Sequence, residues 1–317
     1  MSASKTKRNS FILVLTALIW GLAFVAQSEG DNIIGPYAFA SIRYIIGGIV
    51  LLPVIAFLDK TGNSPNKPKN KAELKTLLLG GLSCGSCLAV ASLLQQVGIY
   101  LGTPAGKAGF LTACYIILVP IFGLFVKRKC GLNVWLSVII AVAGLYLLCI
   151  KGSLSIEKND ALVLLCSIVY SWHILVIDRF IEKNADSVRM SCIQFFVASV
   201  IAAVPAFIID IKCDFSAVPA MLVSAFTGRT LIAILYTGVM SSGVAYTLQI
   251  VGQKDVNPTV ASLLMSLESV FSVLGGWLIL GDKLTARELI GCGVMFCAIV
   301  LSQIPVSSLK RTSRSKR

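Results

Sequence analysis

The chain carries little charge. Only 14% of its 317 residues are Asp, Glu, Lys or Arg, against about 25% in soluble domains. That shortage excludes a solvated globular domain as the bulk of the molecule. Histidine is scarcer still: His173 stands alone, which excludes a metal site built from several histidines, and no metal or cofactor is expected. No Gly-rich loop ends in Gly-Lys-Ser or Gly-Lys-Thr, so nothing cradles the phosphates of ATP, and either the driving force is a gradient or the protein is a facilitator. Acidic residues number 15 against 28 basic ones. The excess sits in connections and tails, without the interleaved aromatics of a nucleic-acid surface, so no nucleic-acid partner is expected. There is also no long polar segment to act as a signalling domain.

Apolar sequence is abundant. Hydrophobic residues make up 56% of the chain and cluster into runs of the roughly 20 residues that a membrane span needs. The runs are too long for barrel strands. In lipid a span must satisfy its own backbone, so helices are predicted. Ten candidate spans emerge: 9–27, 36–58, 74–97, 104–126, 132–150, 160–178, 188–210, 230–252, 258–280 and 287–305. The first is read as a span rather than a cleaved signal peptide, being long and poor in cleavage context. Residues 62–71 form a flexible loop, and 214–228 an interfacial segment too short to cross. The cysteines fall mostly inside apolar runs and read as small buried thiols, Cys84 and Cys87 of CGSC included.

Lysine and arginine bias sets the orientation. With a cytoplasmic N-terminus, 20 of these residues fall in inside segments and seven outside. Both termini are therefore expected in the cytoplasm, with the lipid bilayer of the cytoplasmic membrane as the surroundings.

The chain also repeats itself. Leu94, Gln95, Val97, Gly98 and Pro104 fall on Leu248, Gln249, Val251, Gly252 and Pro258 at a constant offset of 154. Thr103 and Asn257 precede the two prolines as N-caps precede a proline at the first helical position. Five spans per half is an odd number, so the second half enters the membrane inverted. The expected organisation is a first five-helix repeat over 9–150, a second over 160–305 and a basic cytoplasmic tail over 306–317. Inverted repeats characterise secondary transporters, whose site lies between the halves near the midplane.

Four short motifs add to this pattern: Trp20-Gly21, Arg43-Tyr44, Leu267-Glu268-Ser269 and Gly281-Asp282. Together with the repeat, the sequence resembles the EamA-type transporters of the drug/metabolite transporter superfamily. The resemblance covers nearly the whole chain. In the family pattern a proline stands at Ser269 and a glutamate at Asp282. The resemblance implies a ten-helix carrier of small metabolites, including amino acids, with a central cavity open alternately to each side.

Glu268 is the residue the chain has most trouble accommodating. It lies eleven residues after Asn257, about 16 Å along a helix and near the bilayer centre. An acid there binds a substrate ammonium, exchanges a proton, or is a neutral carboxyl held by an adjacent helix. Its repeat counterpart is Cys114, so the halves share shape but not chemistry. Arg43, in the outer half of the second span, either pairs with a substrate carboxylate, snorkels, or ties helices together. His173 is a proton relay or a packing histidine. Trp20, Trp172, Tyr44, Tyr115 and Tyr246 line a cavity or serve as packing and interface anchors. Gln95 and Gln249 hydrogen-bond neighbouring helix starts. Gly81 and Gly85 allow close helix contact, within the chain or in a homodimer. Lys107 is assigned no role.

The expected fold is an all-α membrane protein of ten transmembrane helices in two inverted five-helix repeats. Its expected activity is transport of a small-molecule substrate, amino acids or related compounds first, by a permease without catalytic residues. The substrate-binding or proton-coupling candidates are Glu268, Arg43, Trp20 and His173. A membrane-embedded enzyme or a flippase for a lipid-linked substrate is the alternative.

Overall fold

The structure, a computed structural model, describes residues 3–103, 105–128, 130–150, 157–275, 277–278 and 285–303. Pro104, Gly281-Asp282 and the basic tail lie outside the described residues.

Among the described residues every regular element is helical. α1 is Ala3–Ile34, α2 Pro36–Lys60, α3 Lys71–Tyr100, α4 Ala105–Ala113, α5 Tyr115–Phe125, α6 Leu132–Cys149 and α7 Lys158–Glu182. α8 spans Ser187–Pro205 and runs into a π turn, Ala206–Asp210. α9 is Val218–Ala225, α10 Gly228–Leu235, α11 Thr247–Gly252, α12 Pro258–Met265, α13 Glu268–Gly275 and α14 Ala286–Gln303. Nine helical stretches among the described residues are long and apolar enough to cross a membrane, the first of them Pro36–Lys60. α1 is not one of the nine. The short apolar helix Phe215–Ala225 occupies the segment expected at the interface.

Local chemistry sets the helix starts. Pro36 and Pro258 occupy the first turns of α2 and α12, where a missing N–H costs nothing. Asn257 caps α12 as expected, accepting from the Thr259 N–H at 3.0 Å. Asn70, Glu157 and Asp186 cap α3, α7 and α8. The Thr103 hydroxyl donates to Asp160 Oδ1 of α7 at 3.0 Å.

Burial runs opposite to a soluble fold. Ile49, Ile139, Val200 and Phe296 are exposed, while Gln96, Ser167, Ser171 and Gln194 are fully buried. Apolar side chains facing outward all round mark a surface made for lipid.

Three interruptions shape the interior. At Cys114, between α4 and α5, Cys114 N donates to Leu111 O (3.3 Å) and Ile117 N to Cys114 O (3.0 Å). At Ser266–Leu267, between α12 and α13, Leu267 N donates to Leu264 O (3.3 Å) and Ser269 N to Ser266 O (3.2 Å). Both breaks thus tighten to bonds three residues apart. Ser262 and Ser266 bond back to Thr259 O and Leu263 O at 2.8 Å, which bends a helix. The second break forms with Ser269 in the family's proline position. The third interruption is the π segment Tyr236–Tyr246 between α10 and α11. Here α2 crosses closely: a Cβ on Gly47 would stand 2.8 Å from Ser242 Cβ.

Gly81 and Gly85 face α8. Added Cβ atoms there would meet Ile193 at 2.4 Å and the Gln194 carbonyl at 2.7 Å. Their close contact is therefore made within the chain.

Candidate functional site

A cavity of about 50 Å³ lies where α1, α2, α3, α4, α5, α7, the π segment, α11, α12 and α13 converge. That space holds a few water molecules. Glu268, Arg43, Trp20 and His173 all line it, so the structure brings together the four residues singled out from the sequence.

Glu268 opens α13 at the second helix break and is 5% exposed. The Tyr115 hydroxyl donates to its Oε1 at 3.3 Å, and Tyr115 itself opens α5 at the first break. Gly21 supports the acid from behind. A Cβ there would come within 2.6 Å of the Glu268 carbonyl oxygen and 2.7 Å of Phe271 Cβ, so only glycine lets α1 pack this closely on α13. The adjacent Trp20 donates its indole N–H to Ser241 O at 3.2 Å and lies 4.7 Å from the Tyr246 ring. The Trp-Gly pair therefore has two physical jobs: an aromatic wall and a close helix crossing.

Arg43 does not snorkel. It is 4% exposed, its Nη2 donates to the Tyr44 hydroxyl at 3.0 Å, and its guanidinium lies 4.8 Å from the Tyr44 ring and 5.9 Å from that of Phe39. A buried guanidinium on aromatic faces keeps its planar fork oriented. His173 is 1% exposed. Its Nε2 lies 3.3 Å from Gln194 Oε1, and its ring meets Tyr246 edge-on at 6.1 Å.

Gln95 and Gln249 also line the cavity, rather than bonding to helix starts. Gln95 Nε2 donates to Thr112 Oγ1 at 2.8 Å, whereas Gln249 Oε1 is buried with no partner among the described residues. Trp172 does not reach the cavity. It stacks on Phe122 at 5.3 Å on the outer surface. Lys107, assigned no role from the sequence, pairs with the buried Asp160 at 2.5 Å.

Sequence reading missed Thr112, Tyr170, Ser241, Met265 and Ile174 as lining residues. Two of them carried a signal. Tyr170 precedes His173 by three residues, one helical turn, and Thr112 falls on Ser266 at the repeat offset. Ser241 carried none, because five residues from Tyr246 share a face in a π-helix but not in an α-helix.

A carboxyl, a guanidinium, an imidazole and an aromatic wall converging on one cavity can recognise a small polar molecule carrying charges of both signs.

A model of the EamA-like transporter family matches residues 8–150 and again 158–303. An uncharacterized transporter of Archaeoglobus fulgidus is 24% identical over 300 residues, covering 93% of this chain and 85% of its own. The uncharacterized inner membrane transporter YedA of Escherichia coli K12 is 26% identical over 290 residues, covering 90% and 87%. A WAT1-related chloroplastic protein of Arabidopsis thaliana is 25% identical over 305 residues, covering 93% and 69%. One solved crystal structure superposes with a TM-score of 0.73 over 95% of this chain and 97% of its own, at 16% identity, a likeness of fold alone. Matched twice along nearly its whole length, and built of apolar helices around a cavity lined by charged, polar and aromatic side chains, the chain belongs to the EamA-like transporter family.

Proposed function

We propose that this protein is a secondary transporter that moves a small zwitterionic metabolite, an amino acid or related compound, across the cytoplasmic membrane by alternating access. One observation carries the reading: Glu268, buried at mid-span where a helix restarts, shares a cavity with Arg43. The substrate ammonium faces Glu268 and its carboxylate faces Arg43. Trp20, Tyr115, Tyr170 and Tyr246 take up the apolar part. His173 orients the wall through Gln194. When the site is empty, Glu268 can carry a proton instead.

With α1 counted, the spans number ten, five in each half. The break at Cys114 and the break at Ser266–Leu267 stand about one repeat offset apart, which supports a duplication. The odd number per half supports inversion, and the Lys/Arg bias supports cytoplasmic termini. The cavity has room for only a few water molecules, so entry of a substrate larger than the smallest amino acids needs the walls to part. That is the motion alternating access supplies.

The purified protein is screened by thermal shift against amino acids, because a ligand of the native form raises apparent stability by mass action. Any ligand found is then tested in liposomes by counterflow. Counterflow by the wild type and its loss in Glu268→Gln support the reading. Equal counterflow by both overturns it.

A further inference from the structure

A second cleft, of about 470 Å³, opens on the molecule's outer surface between the end of α5 and the last three turns of α7. Its walls are Val126, Trp172, Leu175 and Val176, and its rim carries Lys127, Arg128, Arg179 and Lys183 against Asp178 and Glu182. Both carboxylates are committed to one partner: Arg128 Nη2 lies 2.5 Å from Asp178 Oδ2 and 2.5 Å from Glu182 Oε2. Lys127, Arg179 and Lys183 remain exposed around the opening. Lys183 leans over the Phe180 ring at 5.3 Å, and Lys127 is fixed in a tight turn with φ 62.

The cleft has a direction. Leu165, Ile168, Trp172, Val176, Arg179 and Lys183 follow at helical spacing along one face of α7. The first three are exposed apolar side chains and the last two are exposed cations. From Leu165 to Lys183 the helix rises about 27 Å, at roughly 1.5 Å per residue. In a bilayer with a hydrocarbon core of about 30 Å, that rise would put the apolar part of the stripe at acyl-chain depth and its basic end at headgroup level. The positive-inside bias places this end at the cytoplasmic leaflet, where anionic lipids meet basic pockets between helices.

The geometry points to a binding site for an anionic phospholipid, with its phosphate at Lys127, Arg179 and Lys183 and one acyl chain along Trp172, Ile168 and Leu165. A free phosphate would use the cations but leave the apolar wall uncovered, so the lipid is the occupant that fits both. The inference does not depend on the transport cycle.

The test uses purified full-length protein in detergent with added phosphatidylglycerol, phosphatidylcholine or glycerol 3-phosphate. Phosphatidylglycerol raises Tm over phosphatidylcholine by about 2–4 °C, the shift of a modest net stabilisation in a chain of this size. The variant Lys127→Gln/Arg179→Gln/Lys183→Gln loses that difference. The variant Lys69→Gln/Lys71→Gln/Lys75→Gln, with the same change of charge elsewhere, keeps it. A gain that survives the first variant overturns the proposal. So does an equal gain from glycerol 3-phosphate, which would mark a soluble-anion site, or no preference for phosphatidylglycerol at all.

Discussion

Tyr115 and Glu268 stand 153 residues apart in sequence and meet at 3.3 Å, hydroxyl to carboxyl, at the points where two interrupted helices restart. Each residue opens the second segment of its helix. A restarting helix presents unsatisfied N–H groups and the positive end of its dipole, which suits an acid or an anionic ligand. The two breaks and the one acid are thus a single feature of the interior.

Replacing Glu268 with Gln keeps the shape and removes the charge. Counterflow of a bound amino acid is expected to fall at least about tenfold, equivalent to about 1.4 kcal/mol, while Tm stays close to that of the wild type. An unchanged rate and pH profile would remove the acid from the cycle.

Tyr115→Phe removes only the hydroxyl. It is expected to cost about 1 kcal/mol in stability, the net worth of one hydrogen bond. Combined with Glu268→Ala, which removes the acceptor, the two losses should fail to add, with a coupling of about 0.5 kcal/mol or more. Strict additivity in the thermal double-mutant cycle would show that the contact contributes nothing.

Gly21→Ala tests the crossing behind the acid. Its new methyl would press on the Glu268 carbonyl, and such overpacking costs about 1–3 kcal/mol. Gly293→Ala provides the control, since nothing lies within 4 Å of a Cβ there. The control should be neutral or gain a few tenths of a kcal/mol from helix propensity, up to about 1 kcal/mol. Equal behaviour of the two variants in thermal unfolding would argue against a tight crossing.

Asp160→Asn breaks the ion pair with Lys107, whose side chain is 15% exposed against 1% for the acid. It also weakens the capping box of α7. A loss near 3 kcal/mol is expected, the lower end for a broken buried pair, because Lys107 keeps some access to water. The double variant with Lys107→Met should recover part of the loss. If it loses more, the pair is not what holds these helices together.

Topology can be read chemically. In a chain whose only cysteine is the exposed Cys213, a membrane-impermeant maleimide should label from outside the cell. A cysteine at Lys69 in an otherwise cysteine-free chain should react only after permeabilisation. Labelling of both from the same side would defeat the inverted arrangement.

The sequence by itself determined the membrane-spanning character, the helices and most of their starts. These depend on local properties: run length against bilayer thickness, and cap or proline chemistry within a turn. Glu268 was legible for the same reason, because a charge in an apolar run is anomalous whatever surrounds it. Tertiary structure decided the rest. Arg43 proved buried on Tyr44 rather than extended to the interface, and Lys107 found a buried acid on α7. Ser241 entered the site only because its helix widened to a π register. Trp20 and Trp172 look alike as aromatics in apolar runs, yet one lines the hollow and the other faces outward. Such outcomes depend on which faces of distant helices meet, and a sequence that is apolar on all sides leaves that to side-chain packing.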